Sequence, residues 1–425
     1  MEKLNKPTVT ICTDRFRSVA DTLRRSLGMA GLPVLYVPHP LSGLKADEIE
    51  AKADAVAEQI IEALAGKESA PDANGTAAPE GAKQAPEKMT LPDSAEQVYE
   101  EYLRRGWTDG LPILPPTVEA VERMIRACGM DPQRVVASIP PLWGEATIEK
   151  IAVNAVMAGC LPQYLPVIVT AVAAMADESF NLTFSQATTH PACPLLIVNG
   201  PAAQTLSING ASGAFGSYHR ANGTIGRAIR LILLNIGGAI PGEKDMATQG
   251  QPSQFSFCIA ENEAANPWEP LHVERGLAPQ ESGVTVVTVE NPHNINDSGS
   301  TSAEELLTTI SGSITSIGSN NFFGQGGNPI LALSPEHAET IARDGWSKSE
   351  VKTYLFEHAR VPLRCLTEFN RKRFFPGLPV TAEIPVVKEA DDLIVIVVGG
   401  PGRHSSYLPS SAGTWGVTRP LQPGR

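Results

Sequence analysis

Residues 191–206 read PACPLLIVNGPAAQTL. The run Pro194–Val198 is apolar without alternation, as in a strand covered on both faces, and it enters Asn199-Gly200-Pro201, a turn that opens a helix. A strand buried on both sides needs a layer of structure on each, which points to an α/β chain rather than a half-solvated antiparallel sheet. The same grammar returns later. Asn328–Ser334 (NPILALS), followed by a helical stretch to Arg343, repeats Pro, apolar strand, Asn or Ser, Gly or Pro, then helix. This spacing suggests an internal duplication. Leu393–Val398 (LIVIVV) is a third buried strand, running into Gly399–Gly402. The expected class is α/β, with mixed or parallel sheets and flanking helices.

Outward from this centre, helices are expected at Ser94–Arg105, 117–128, 222–235 and Ala303–Gly318. Glu145–Met175 reads as apolar helix broken near Pro162 and Pro166. Phe255–Glu263 and Val284–Glu290 read as strands. Residues 67–94 are rich in Ala, Pro, Glu, Gly and Lys with few large apolar side chains, so they read as a flexible tether. The tether separates a large unit, 95–425, from a small one, 1–66. The small unit spells strand (Thr8–Cys12), helix through Gly28 capped by Thr13 or Asp14, strand (Pro33–Val37) and helix (Ala46–Ala65). This βαβα fragment has parallel strands but too little sheet to stand alone. It is expected to pack on the large unit, a second copy or another chain.

With 34 Lys and Arg against 46 Asp and Glu, the formal charge is −12. That balance argues against a nucleic-acid binder, which needs a basic face. The opening MEKLNKPTVTICTDRF lacks the apolar core of a secretory signal, and no apolar run reaches membrane-spanning length. Six cysteines are scattered without a CxxC or zinc spacing. These features read as a reduced, cytoplasmic protein.

Candidate chemistry lies in the loops around His190, His219, His272 and His293. Glu261 and Glu263, two apart on an expected strand, would share a face, and each can shift the other's ionisation. His272 offers a general base or metal ligand, with Trp268 and Arg275 beside it. A solvated acidic loop explains the segment equally well. Asn291, His293, Asn294 and Asp297 follow a strand end; turn chemistry accounts for all but the histidine. His190 and Cys193 lie three apart before the buried strand, and a cysteine beside a histidine can form a nucleophilic thiolate. Cys160, on an apolar helix, is a weaker candidate, since free cysteines are mostly core residues. The glycine-rich stretch 209–230 places Asn209, His219, Arg220 and Asn222 before a helix, an arrangement suited to a carboxylate or phosphate. Gly399–Ser406, with Arg403, His404 and Ser405, reads either as a second anion-facing loop or as a plain turn before an irregular C-terminal tail. No cofactor is evident, and a metal is left open.

The stretch TVTICTDRFRSVADTLRRSLGMAGLPVLYVPHPLSGL, with CTDRF at 12–16 and VPHP at 37–40, resembles the C-terminal part of the UGSC-motif family. Its members are named for a selenocysteine- or cysteine-Gly-Ser-Cys signature and regarded as thiol or selenol redox proteins. The large unit resembles a bacterial family found fused to or encoded beside them. Its stretches here are TDGLPILPPT, GEATIEKIAVNAVMAGC, ATTHPACPLLIVNGP, NPWEPLHVERG and GGPGRHSS. The resemblance places the signature upstream of the Cys12 strand, yet no Cys-Gly-Ser-Cys occurs in this chain. It therefore implies a centre either lost or supplied by a small partner subunit carrying the motif. The expected function is an enzyme subunit for a small organic substrate, with thiol- or selenol-linked redox chemistry. A redox-neutral lyase or hydrolase using Glu and His, and a non-catalytic binding subunit, are the alternatives. An oligomer is expected.

Overall fold

The computed structural model describes residues 6–41, 43–65, 88–91, 93–324 and 326–421. Most of the stretch read as a tether lies outside the described residues.

In the small unit, β1 (Thr10–Thr13), α1 (Arg17–Ser26), β2 (Val34–Val37) and α2 (Ala46–Leu64) follow the expected order, and β1 pairs β2 in parallel. The cap differs from expectation. A single 3-10 turn over Asp14–Phe16 precedes α1, and the Asp14 carboxylate accepts the His39 N–H (3.1 Å) instead of capping. Among the described residues of this unit, Val19, Thr22, Val37 and Val56 alone are buried, while Ile11, Leu27, Ile49 and Ile61 are exposed. Two strands and four buried side chains make a marginal core.

The large unit opens with α3 (Ala95–Arg104) and α4 (Val118–Cys128). Then comes an unanticipated antiparallel pair, β3 (Val135–Ile139) with β4 (Gly144–Thr147), so the expected helix 145–175 begins as strand. It continues as α5 (Ile148–Ala158), capped by the Thr147 hydroxyl and ended at Gly159 in the left-handed conformation (φ 87°), and resumes as α6 (Leu165–Met175). Next in order are α7 (Leu182–Ala187), β5 (Cys193–Asn199), α8 (Pro201–Thr205), α9 (Arg220–Asn235), β6 (Cys258–Ala260), α10 (Leu271–Glu274), β7 (Gly283–Val289) and β8 (His293–Asn296). The second half supplies α11 (Ala303–Ile314), α12 (Asn320–Gly324), β9 (Ile330–Leu333), α13 (Pro335–Arg343), α14 (Lys348–His358), β10 (Arg360–Pro362), α15 (Glu368–Phe374), β11 (Glu383–Pro385), β12 (Ile394–Val397), β13 (His404–Leu408) and β14 (Val417–Pro420).

Two four-stranded sheets result, ordered β14-β7-β5-β6 and β12-β9-β13-β8. In each, a central strand (β5 or β9) pairs parallel with one neighbour (β6 or β12) and antiparallel with the other (β7 or β13). The expected duplication is thus a property of the fold. Alternation within the apolar runs explains their composition. Leu195 and Ile197 of β5 face Ile330, Ala332, Ile394 and Ile396 of the other sheet, while Leu196 and Val198 face a helical layer containing α5, α6 and α9. Leu331, Leu333, Val395 and Val397 likewise face α11, α13 and α14. The order of layers is helix, sheet, sheet, helix, and β5, β9 and β12 are apolar on both faces because each is covered twice.

The fourth strand of each sheet is exchanged. β8 follows β7 in sequence but joins the second sheet against β13, and β14 follows β13 but joins the first against β7. Where the chains cross, Val289 and Ser410 bridge, and two reciprocal bonds form: Glu290 N–H to Pro409 O (2.8 Å) and Ser411 N–H to Thr288 O (3.2 Å). Residues 288–290 and 409–411 are equivalent in the two repeats, so this is a local two-fold crossing.

Candidate functional site

His190 lies at this crossing, in the loop that leads into β5. Its Nε2 is 2.8 Å from Glu290 Oε1; its Nδ1 is 3.2 Å from both Ser411 Oγ and Asn320 Nδ2. The amide of Asn320 donates, so Nδ1 is the accepting nitrogen and Nε2 carries the proton toward the carboxylate, a tautomer inferred from the network. The ring thereby holds a lone pair against the Ser411 hydroxyl while Glu290 fixes its orientation, the geometry of a general base beside a hydroxyl. The His190 side chain is 12% exposed and that of Glu290 30%, whereas Ser411 is buried. Gly327 (φ +86°) packs so closely that a Cβ there would lie 2.5 Å from Ser411 O and 2.7 Å from Ser410 Oγ; the latter hydroxyl is buried without a partner.

The remaining candidates do not converge on this centre. Asn291 is nearby but is occupied, its Oδ1 accepting the N–H and hydroxyl of Ser253. Cys193 is buried at the start of β5, its sulfur accepting from Gln251 Nε2 (3.1 Å); burial pushes its thiol up to about 11. Cys160 is buried against Thr224 O (3.2 Å) and its thiol is pushed up to about 12. At both positions burial disfavours the nucleophilic thiolate.

At the opposite end of β5 sits the Glu261 cluster. The expected strand 255–263 shortens to Cys258–Ala260, so Glu261 and Glu263 do not share a strand face. They meet instead on the Asn199 side-chain amide, 2.7 and 2.9 Å from it. Glu261 is buried, which pushes its carboxyl up, while the Leu271 and Val397 N–H groups and the Asn199 and Asn266 amides donate to its oxygens. Four N–H donors favour the carboxylate and tie β5, β6, α10 and β12 together. His272 is in α10 rather than a loop, fully buried, 3.9 Å from Glu263 and with no hydrogen bond at either ring nitrogen. Trp268 donates to Trp346 O (2.9 Å), and Arg275 is exposed without an ion pair among the described residues.

The glycine-rich stretch also resolves structurally. Helix α9 starts at Arg220, after His219, so Asn222 lies inside it; Asn222 and Asn209 bond reciprocally (2.8 and 2.9 Å) and staple the loop. Arg220 caps α5 through Gly159 O (2.9 Å). Asn209, Arg220 and Asn222 are thus engaged in structural hydrogen bonds. On the edge of the second sheet, His293 is an exposed strand residue, and Asn294 Oδ1 meets His404 Nδ1 at 3.1 Å. Ser405 is buried between His337 Nδ1 (2.7 Å) and the Ser334 N–H (3.0 Å). Burial opposes ionisation of Asp297, but bonds from Thr309, Ser300 and Gly299 hold it down to about 2. Among the described residues no group of three or more His, Cys, Asp or Glu is placed to hold a metal ion.

Reading the sequence missed Glu290, Ser411 and Asn320, because each is separated from His190 by a hundred residues or more. It also missed a cleft of about 900 Å³ between α3, the 105–119 loop, α5 and the end of α9, lined by Trp107, Tyr102, Met157, Lys150 and Asn154. The buried pair Arg227–Asp109 (2.7 and 2.8 Å) fixes that loop on α9.

Residues 1–66 match the UGSC family. No curated protein and no solved structure matches the chain. No single described helix is long and apolar enough to cross a membrane.

Proposed function

We propose that this chain is one subunit of a two-component enzyme acting on a small organic substrate. A partner chain bearing the Cys- or selenocysteine-Gly-Ser-Cys motif completes the small unit and supplies the thiol or selenol, and the large unit transfers protons at His190. The observation that carries this reading is the family match falling on a sheet of only two parallel strands with four buried side chains. Of the chain's six cysteines, Cys128, Cys160, Cys193 and Cys258 are buried, Cys12 is half-buried and Cys365 is exposed, so a thiol centre within the core of the large unit is not favoured. Purification of the native assembly under mild conditions, followed by intact-mass measurement, tests the reading. A stoichiometric second chain with the motif is expected; recovery of this chain alone would overturn it.

A second reading, redox-neutral hydrolysis with Ser411 as nucleophile, is favoured by the 3.2 Å and 2.8 Å contacts of His190. A fluorophosphonate probe separates the two. Labelling of Ser411, together with turnover that resists alkylation of the partner, would select hydrolysis.

A further inference from the structure

We infer that the outer face of α2 docks on the surface formed by α15 and the loop after it, in the large unit of the same chain. The inference is independent of the partner reading.

Helix α2 packs through Lys52, Val56, Ile60 and Ala63 and leaves a second stripe outward. That stripe is Ile49, Ala53, Ala57, Ile61 and Leu64, with the three large residues 45%, 67% and 42% exposed. Beside it, one residue on at each step, runs a ladder of Glu50, Asp54, Glu58 and Glu62, all exposed and without an ion pair among the described residues. Like charges four residues apart repel along a helix. A single-sign ladder flanking an apolar stripe fits a basic, apolar surface.

The large unit carries such a surface, although the whole chain is strongly acidic. In α15, Phe369, Lys372 and Arg373 share a face at i, i+3 and i+4, and Phe369 is 59% exposed. Arg364 precedes it, and Leu378 and Val380 follow, about half exposed. Lys372 and Arg364 contact only the solvated carboxylates of Glu368 and Glu383, surface pairs that exchange at little cost. The 22 residues between Ala65 and Lys88 span at most ~75 Å, and joining the two faces in one chain raises their effective concentration above that of separate molecules. A modest interface therefore suffices.

Cys365, exposed beside α15, provides a native reporter. In the full chain carrying Cys12→Ser, Ala57→Cys should form an intramolecular disulfide with Cys365 at least tenfold faster than Gln59→Cys, which sits on the other side of α2. Lys372→Glu with Arg373→Glu should slow it, and adding Asp54→Lys with Glu58→Lys should restore it. With charges unaltered, 1 M NaCl should also slow it, so the test survives misfolding of a charge variant. Equal rates at 57 and 59, indifference to charge and salt, or disulfide-linked dimers only would overturn the inference.

Discussion

At His190 the chemistry turns on which nitrogen faces which neighbour. Glu290 orients the ring and Ser411 receives its lone pair, so Glu290→Gln keeps the shape while removing the charge that stabilises a protonated imidazole. Turnover of the assembled enzyme should fall ~10²-fold or more, with substrate affinity nearly unchanged, as single-turnover rates would show. Gly327→Ala tests the packing behind Ser411. A left-handed φ and a backbone oxygen 2.5 Å from the new Cβ predict a loss of about 1–3 kcal/mol in urea unfolding. The cysteines give a third check. Ellman's reagent should titrate Cys365 promptly in the folded protein, and Cys128, Cys160, Cys193 and Cys258 only after denaturation. The residue chemistry was partly legible in the sequence. His190 stood out as a histidine before a buried strand, but its partners come from two distant strand ends, and no local spacing encodes them. Burial, which disfavours the thiolate at Cys160 and Cys193, is likewise not encoded in their local spacing.

Among the elements, the join between α10 and α14 is sensitive to acid. Lys348 and Lys352 are buried (side chains 3% and 6% exposed), and both donate to Glu274. Burial pushes the Glu274 carboxyl up, but the two lysines outweigh it and leave it below its ordinary value. A depressed carboxyl contributes stability above the unfolded pKa, about 4.3 for Glu, and loses it as pH falls through the folded value. The urea midpoint should therefore drop as pH is lowered from 7 to below ~4. Glu274→Gln, which removes the counter-charge of two buried ammonium groups while Lys348 keeps its bond to Glu269 O (2.6 Å), should cost about 3–5 kcal/mol at neutral pH. The apolar runs announced the central strands because they are covered on both faces. The Glu145–Thr147 strand was misread as helix because its apolar continuation into α5 hides the change of period. Glu261 and Glu263 were placed on a strand that ends one residue earlier, at Ala260.

On the scale of the whole molecule, strand exchange welds the two repeats of the large unit. A fragment ending at Ser300 keeps β7 but lacks β14, and the complementary fragment keeps β13 but lacks β8. Neither should melt cooperatively alone, and calorimetry of the co-expressed pair should restore one transition. The duplication was legible from PLLIVN and NPILALS, whereas the exchange was not, since β8 and β14 are short polar segments without a distinctive pattern. The small unit presents the opposite case: its order of strand, helix, strand and helix was legible, and among the described residues its sheet has two strands. Hydrogen–deuterium exchange of Ile11 and Thr13, the β1 amides that alternate with those bonded toward β2, in this chain with and without a motif-bearing partner tests the central claim most directly. The account predicts fast exchange alone and strong protection in the assembly; exchange unchanged by the partner would contradict it.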